Sequence, residues 1–234
     1  DLFIAIPGAN RHGAEFAMSA VSKGAVAILT DSAGAAYVQA VPVLVVADPR
    51  RVAGNIAALL YNEPMRDLAS IGITGTNGKT TVSTLIYQIF EAAGRDCGLI
   101  GTIETRIGKD AIESSRTTPE STDLQALSAV MRERHMRHLV MEVSSHAMVL
   151  HRMQGAHFAF VGFTNLTQDH LDFHGDIESY FAAKAKLFTY DFADQAVINI
   201  DSKYGAKLAS TTELPVISLS RLNPQATWHF TEID

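Results

Sequence analysis

The sequence predicts an α/β fold with a small N-terminal α/β domain, residues 1–66, followed by a larger central domain, residues 67–234, with a mostly parallel sheet. Short apolar runs typical of buried strands alternate with helical patterns along the chain, and this alternation favours parallel strands joined by helices. A polar, proline-containing segment, residues 62–70, interrupts the alternation and indicates the domain boundary. At 234 residues, 47% of them hydrophobic, the chain can bury two modest cores.

The first domain contains three predicted strands and two predicted helices. The strands are the apolar runs 2–6, 26–29 and 43–46, and the helical patterns cover residues 14–22 and 52–61. This order is that of a small α/β unit.

The second domain opens with a strand at 71–74, a glycine-rich loop and a helix that ends at Gly94. The apolar stripe of this helix consists of Val82, Leu85, Ile86, Ile89, Phe90 and Ala93. Further strands, with helices between them, are predicted at 99–103, 139–143, 160–164, 196–200 and 216–219. The sequence Thr122-x-x-Gln125 predicts a capping box at the start of one of these helices. Ligands of such sheets bind beyond the carboxyl ends of the strands.

Composition restricts the environment and the partners. The net charge of −6 provides no general attraction to nucleic acid or anionic lipid. No apolar run approaches the ~18 residues of a membrane span, and no signal segment opens the chain. The single cysteine, Cys97, excludes an intrachain disulfide and is expected to be a packed thiol, which suits a reducing compartment. We therefore expect a cytoplasmic monomer without nucleic-acid or membrane partners.

The glycine-rich loop predicts a phosphate-binding site. The sequence Gly75-Thr76-Asn77-Gly78-Lys79-Thr80-Thr81 joins the first strand of the central domain to its first helix, so backbone N–H groups face an anion there. Lys79 can reach the β- and γ-phosphates of ATP, and the Thr80 hydroxyl can bind Mg²⁺. The strict motif has glycine where this chain has Ile73, so the match is a variant. The central domain is therefore expected to be of the P-loop type.

A phosphate loop alone leaves kinase, GTPase, motor and ligase functions open. The chain contains no Asn-Lys-x-Asp sequence for reading guanine, which disfavours a GTPase. A glycine turn with a solvated lysine is the alternative without function, and the strand before the loop and the helix after it argue against it.

Further motifs carry a resemblance to a known family. Besides the loop, they are Thr117-Thr118-Pro119-Glu120, Glu142-Val143-Ser144-Ser145-His146, the segment from Phe163 to Gly175, and Asp1 to Gly8 with His12-Gly13. With these the chain resembles the Mur ligases, and among them the UDP-N-acetylmuramoyl-tripeptide synthetases, nearly from end to end. The resemblance implies an ATP-dependent ligase of peptidoglycan precursor synthesis. Such an enzyme adds diaminopimelate or L-lysine to UDP-N-acetylmuramoyl-L-alanyl-D-glutamate through an acyl phosphate.

The resemblance also implies roles for individual residues. The substrate-binding residues would be Thr117, Thr118, Ser144 and Arg152, and hydroxyls with a guanidinium suit an anionic, oxygen-rich ligand. Many relatives have glutamine two positions before this arginine, where this chain has Leu150. One substrate hydrogen bond is therefore expected to be lost or replaced.

The implied magnesium site consists of Thr80, Glu142, His170 and Lys184. Glu142 follows an apolar strand, and an acid at a strand end can hold Mg²⁺ beside phosphates. Lys184 lies three residues after Phe181 and four before Phe188, hence on the apolar face of its helix. By resemblance it is the lysine that CO₂ converts to a carbamate, whereas a stem that reaches water is the ordinary alternative.

The resemblance implies that further segments of the protein lie outside this chain. Part of the uridine site is expected before Asp1, and the last strands of the central domain, with a C-terminal domain that recognises the amino acid, after Asp234. Two alternatives remain open at this point. One is another ATP-dependent ligase on the same scaffold, such as a folylpolyglutamate synthetase or a Mur ligase acting at a different step, and the other is a nucleotide-binding fragment without turnover.

Overall fold

The computed structural model describes residues 1–8, 10–39 and 41–231 and contains two β-sheets. The smaller sheet has three parallel strands in the order β1-β2-β3. Its elements are β1 (Leu2–Ile4), α1 (Ala17–Ser22), β2 (Ala27–Thr30), α2 (Ser32–Ala35), β3 (Val43–Val45) and α3 (Pro49–Leu60). The short helix α2 was not predicted.

The larger sheet has nine strands in the order β12-β11-β10-β9-β4-β8-β5-β6-β7. Its strands are β4 (Ala69–Thr74), β5 (Cys97–Ile100), β6 (Glu104–Ile107), β7 (Asp110–Glu113), β8 (His138–Glu142), β9 (Phe158–Phe163), β10 (Ala193–Asn199), β11 (Val216–Ser220) and β12 (Trp228–His229). Strands β6 and β7 are antiparallel to their neighbours, and the other pairs are parallel. The predicted α/β class with a mostly parallel sheet is confirmed.

Six helices among the described residues accompany this sheet. They are α4 (Lys79–Ala92), α5 (Ser121–Glu133), α6 (Ser145–Val149), α7 (Leu171–His174), α8 (Ile177–Ala185) and α9 (Lys203–Thr211). The central strands β4, β8 and β9 are adjacent and parallel, so the segments that follow them emerge at one edge of the sheet.

The predicted capping box is wrong, and the predicted stripe of α4 is confirmed only for Val82, Ile86 and Phe90, which pack against buried residues. Helix α5 begins at Ser121 behind Glu120, which makes no side-chain cap bond, and the amide of Gln125 donates to the Gly155 carbonyl at 2.8 Å instead of forming a capping box. In α4, Leu85 and Ile89 of the predicted stripe are exposed, at 52% and 66%. The side of that helix that packs on the sheet includes the buried Tyr87.

Helix α3 packs closely on the larger sheet's part of the chain. A Cβ added at Gly54 would lie 1.8 Å from the Gln154 carbonyl oxygen, so only glycine permits this approach. At the other end of the contact, the Arg132 guanidinium of α5 donates to the carbonyls of Tyr61 and Asn62 at 2.9 and 2.8 Å. The end of α3 is thereby held beside the end of α5.

The remaining composition-based expectations concern the thiol and the membrane. Cys97 is fully buried, and this burial raises the pKa of its thiol to about 12, which agrees with a packed, unreactive cysteine. Within the described ranges, no helix combines the length and the apolar character needed to cross a bilayer.

Candidate functional site

The glycine-rich loop connects β4 to α4 at the centre of the larger sheet. Gly75 and Gly78 both have positive φ angles, +147° and +84°. A Cβ at Gly75 would also lie 1.9 Å from the Thr164 hydroxyl oxygen, whereas one at Gly78 would meet no atom within 4 Å. Gly75 is therefore required both for its backbone conformation and for the space that it leaves.

A second segment, residues 164–167 after β9, braces this loop. The main-chain carbonyl of Asn165 accepts a hydrogen bond from the Thr76 N–H at 2.9 Å, and its side-chain oxygen accepts one from the Asn77 N–H at 3.0 Å. The Thr164 hydroxyl donates to the Asn77 carbonyl at 2.7 Å. Sequence reasoning assigned no role to these residues, although they lie in one of the motifs of the resemblance.

Two lysines converge on one carbonyl of the loop. The Lys79 ammonium donates to the carbonyls of Gly75 and Thr76, both at 3.0 Å, and the Lys184 ammonium donates to the Gly75 carbonyl at 2.9 Å. Lys184 is only 1% exposed, which agrees with its predicted place on the apolar face of α8. Burial, together with the charge of Lys79, lowers the pKa of Lys184 to about 7. Burial also lowers the pKa of Lys79.

The carboxylate of Glu142, at the end of β8, lies directly behind the loop. It is fully buried and accepts hydrogen bonds from uncharged groups: the Thr80 hydroxyl at 3.0 Å, the Thr102 N–H at 2.8 Å and the Thr102 hydroxyl at 3.0 Å. A buried carboxylate with neutral partners is costly unless a cation completes its surroundings. These oxygen ligands therefore fit a hard divalent cation such as Mg²⁺.

The four residues proposed for substrate binding are linked to Glu142 through its main-chain carbonyl and through Thr102. The Thr118 hydroxyl donates to the Glu142 carbonyl at 3.0 Å and accepts from the Ser144 N–H at 3.0 Å. The Thr117 hydroxyl oxygen is 3.1 Å from that of Thr102, and the Arg152 guanidinium donates to the Thr118 carbonyl at 3.4 Å. All four belong to one hydrogen-bonded network with Glu142.

His170 is more loosely connected to this network. Its side chain is 47% exposed, and its backbone is left-handed, with φ of +52°. Its ring centre lies 4.9 Å from that of His146 and 6.1 Å from that of Tyr180, and the Lys184 ammonium lies 4.6 Å from the Tyr180 ring centre. Tyr180 thus stands between His170 and Lys184.

The structure brings together most of the predicted site residues. The loop residues Gly75 to Thr81, Glu142, Lys184 and the four substrate candidates are contiguous in space or in the chain. Sequence reasoning missed Thr102, because its two bonds to Glu142 join residues forty positions apart. Within the part of the chain that the structure describes, no group of three or more His, Cys, Asp or Glu side chains is arranged to hold a metal. A cation here would depend on hydroxyl, phosphate or modified-lysine oxygens as well.

Two family models match the chain. The Mur ligase middle domain matches residues 73–234, and the domain described as Mur ligase family, catalytic domain, matches residues 1–61. A UDP-N-acetylmuramoyl-L-alanyl-D-glutamate–2,6-diaminopimelate ligase of Streptomyces avermitilis is 49% identical over the whole chain, and a UDP-N-acetylmuramyl-tripeptide synthetase of Leifsonia xyli is 44% identical. The chain covers 47% and 46% of these two proteins, so it spans about half the length of the curated relatives.

Solved structures extend the comparison. A diaminopimelate ligase structure superposes with a TM-score of 0.83 at 25% identity, covering the whole chain and 48% of the other protein. A folylpolyglutamate synthase of Mycobacterium tuberculosis shares the fold, with a TM-score of 0.56 over 75% of this chain and 48% of its own, at 18% identity. Because the middle-domain profile alone spans more than half of the sequence, the chain belongs to the Mur ligase family.

Proposed function

We propose that this chain carries the ATP-binding part and much of the UDP-substrate-binding part of a ligase that adds a third amino acid to UDP-N-acetylmuramoyl-L-alanyl-D-glutamate. One observation carries the proposal. Glu142 bonds to the phosphate loop through its carboxylate and to the Thr118–Ser144 pair through its carbonyl. A nucleotide and an acceptor carboxylate bound on the two sides of one residue would be close enough to react.

The loop is the proposed ATP site. The N–H groups at the start of α4 and residues Gly75 to Thr81 would surround the phosphates, and Lys79 would leave the loop carbonyls to contact the β- and γ-phosphates. In this position its charge stabilises the negative charge that develops during phosphoryl transfer.

Residues Thr80, Glu142, His170 and Lys184 are proposed to hold Mg²⁺. When bound, Mg²⁺ would neutralise phosphate charge during the transfer. Lys184 would take part as a carbamate, since its low pKa leaves a large fraction of neutral amine to react with CO₂ near neutral pH. Carbamate formation replaces a buried cation with an oxygen ligand. The Lys184 amine that would carry the carbamate contacts the Gly75 carbonyl of the loop at 2.9 Å.

The proposed reaction has two steps. ATP transfers its γ-phosphoryl group to the D-glutamate carboxylate of the UDP-substrate, which forms an acyl phosphate. The amine of the incoming amino acid then attacks the acyl carbon, the C–N bond forms and phosphate leaves. Thr117, Thr118, Ser144 and Arg152 would bind the UDP-substrate, so that its carboxylate faces the nucleotide.

The relatives favour one amino acid. The Streptomyces avermitilis protein and a 44% identical protein of Corynebacterium glutamicum are both named 2,6-diaminopimelate ligases. We therefore propose diaminopimelate as the third substrate, and L-lysine as the alternative that the assay compares.

Residues 1–66 are proposed to bind the UDP end of the substrate and residues 67–234 to bind ATP, with a further C-terminal domain that recognises the amino acid. The protein is proposed to act as a monomer, and its ATP-consuming reaction is proposed to take place in the cytoplasm.

The test is a reaction of the full-length protein with ATP, Mg²⁺ and UDP-N-acetylmuramoyl-L-alanyl-D-glutamate, with diaminopimelate or L-lysine added separately. Phosphate release and the mass of the product are followed together. A tripeptide product with diaminopimelate supports the whole proposal, and a product with lysine alone overturns the amino-acid assignment. ATP binding without any product overturns the ligase proposal in favour of nucleotide binding without turnover.

The carbamate requires its own test, because loss of activity alone does not locate it. ¹³C NMR of the protein in ¹³C-bicarbonate should show one carbamate signal that disappears in Lys184→Arg and persists in Lys186→Arg. Lys186 is the matched control, since it lies two residues away on the exposed side of the helix. A signal that survives in Lys184→Arg and disappears in Lys186→Arg would refute the assignment.

A further inference from the structure

The carboxylate of Glu120 binds three arginines. One of its oxygens accepts a hydrogen bond from Arg116 at 2.8 Å and forms an ion pair with Arg152 at 2.9 Å, and the other accepts a hydrogen bond from Arg50 at 3.0 Å. Glu120 and Arg50 side chains are 27% and 29% exposed, Arg152 is 13% exposed, and Arg116 is 54% exposed. The contacts to Arg50 and Arg152 are therefore the more sheltered ones and carry more energy than surface ion pairs.

The three arginines come from separate parts of the chain. Arg50 is in the first turn of α3, next to the smaller sheet, Arg116 precedes the Thr117–Thr118 pair, and Arg152 follows α6. Glu120 is the residue before α5, and its backbone is extended with φ of −64°. One carboxylate thus joins the smaller sheet's last helix to the guanidinium of a proposed substrate-binding residue.

The geometry of Arg152 shows what Glu120 does to it. One terminal nitrogen donates to the Thr118 carbonyl at 3.4 Å and the other pairs with Glu120 at 2.9 Å. The first contact is long, whereas the ion pair with Glu120 is short, so the charged contact is the stronger constraint on the position of the guanidinium. The carboxylate of Asp123 is also near, and burial followed by the charge of Glu120 raises its pKa. Three guanidinium groups stand against the two carboxylates of Glu120 and Asp123, so the cluster has an excess of positive charge beside the Thr117–Thr118 segment.

We propose that Glu120 is a positioning residue that fixes the Arg152 guanidinium for the anionic UDP-substrate, and that Arg50 fixes Glu120 in turn. The inference rests on the function proposed above. It assigns to Arg50 a part in substrate affinity, although Arg50 belongs to the smaller sheet's part of the chain. Binding of the UDP-substrate then depends on the docking of α3 against the start of α5.

A contact that only stabilises the packing of α3 against α5 would not affect the affinity for the UDP-substrate. Arg132 also joins α5 to the segment after α3, through the Tyr61 and Asn62 carbonyls. It lies twelve positions beyond Glu120, at the far end of a helix that rises about 1.5 Å per residue, or about 18 Å away. Arg132→Ala therefore loosens the same contact without touching Arg152, and it serves as the control for general destabilisation.

The experiment measures the KM for the UDP-substrate, the KM for ATP and kcat of the full-length protein. Glu120→Gln and Arg50→Ala are expected to raise the KM for the UDP-substrate about tenfold, equivalent to about 1.4 kcal/mol, and to leave the KM for ATP unchanged. Arg50→Lys should restore part of the loss, because one nitrogen of Arg50 makes the contact. Arg51→Ala, an exposed neighbour in the sequence, and Arg132→Ala should leave both KM values unchanged. KM is independent of the fraction of enzyme that folds, so a poorly folding variant still gives an answer.

A double-mutant cycle tests whether Glu120 acts through Arg152. In an Arg152→Ala background, Glu120→Gln should have no further effect on the KM for the UDP-substrate. An undiminished tenfold effect in that background, or an unchanged KM in Glu120→Gln alone, overturns the positioning role while the ligase function stands. A wild-type protein that forms no tripeptide overturns the proposed function itself. In that case, direct calorimetric binding of the UDP-substrate to the same variants decides on Glu120, with the same expected and overturning results.

Discussion

The ammonium of Lys184 should make the stability of the protein depend on pH in a way that one substitution removes. The group is 1% exposed, contacts the Gly75 carbonyl and has a pKa of about 7 instead of 10.5. Lys184→Met keeps an unbranched side chain of similar length and eliminates the titration. We compare the free energy of unfolding of the two proteins in CO₂-free buffer, so that the amine is unmodified.

The sign and size follow from the two pKa values. Because the pKa is lower in the folded protein, the unfolded chain binds more protons between pH 7 and 10.5, and stability rises with pH. Each pH unit well inside this window is worth about 1.4 kcal/mol, and near pH 7 the folded amine is half protonated, which halves the slope there. From pH 7 to pH 9 the wild type should gain about 2 kcal/mol relative to Lys184→Met.

Urea unfolding at pH 7, 8 and 9 measures this difference. With an m-value of about 2 kcal/mol/M, the gap between the two midpoints should change by roughly 1 M across the series. Lys186→Met is the control and should track the wild type, since Lys186 is exposed. A gap between wild type and Lys184→Met that stays constant with pH would show that the buried amine does not titrate in this range, and the reasoning would fail.

Three further substitutions test the loop, the buried carboxylate and the docking of α3. Gly75→Ala, whose Cβ would lie 1.9 Å from the Thr164 hydroxyl oxygen, should abolish ATP binding measured by calorimetry, whereas Gly78→Ala should weaken it less, because it adds only backbone strain of about 1–2 kcal/mol. Equal losses in both would contradict the steric argument. Glu142→Gln should weaken Mg²⁺-dependent ATP binding at least tenfold, or about 1.4 kcal/mol, with little change in metal-free binding; an unchanged magnesium dependence would remove Glu142 from the metal site. Gly54→Ala should lower the free energy of unfolding by about 3 kcal/mol or more, because its Cβ would lie 1.8 Å from a main-chain oxygen. A melting temperature equal to that of the wild type would show that α3 can move away at little cost.

Most strands of the larger sheet could be predicted because each contains a short apolar run. The predicted strands 139–143 and 196–200 open with the uninterrupted apolar runs Leu139 to Met141 and Ala196 to Ile198, and the structure has β8 and β10 at these places within a few residues. The hairpin of β6 and β7 was missed because both strands are short and carry charged side chains, and β7, Asp110–Glu113, is exposed as well. Their pattern does not differ from that of a polar loop.

The helices show a second limit. The spacing of Phe181, Lys184 and Phe188 predicted a buried lysine, and the structure confirms it. The same reasoning placed Leu85 on the buried stripe of α4, where the structure leaves it exposed. An apolar stripe identifies the buried face of a helix only when a single face is apolar. Helix α4 has apolar residues on more than one face.

The candidate site could be predicted residue by residue but not as a network. The loop and Lys79 follow from a local motif, since their spacing along the chain determines their geometry. Thr102 and Glu120 bind their partners across tens of residues, and only the sheet order β4-β8-β5 brings the ends of those strands together. Tertiary contacts of this kind leave no periodic signal in the sequence.

The position of Glu142 explains why nucleotide and acceptor sites can share one strand end. Its carboxylate lies behind the phosphate loop and its carbonyl binds Thr118, and these groups are only a few bonds apart. Because β8 lies next to β4 in the sheet, the residue that ends β8 necessarily adjoins the loop that follows β4. The next residues of the chain, up to Ser144, then turn toward Thr118. A change in the register of β8 by one residue would turn the carboxylate to the opposite face of the sheet and separate it from Thr80. The buried apolar run before Glu142 thus fixes the site as firmly as the polar residues themselves, because it determines which side chain arrives at the strand end.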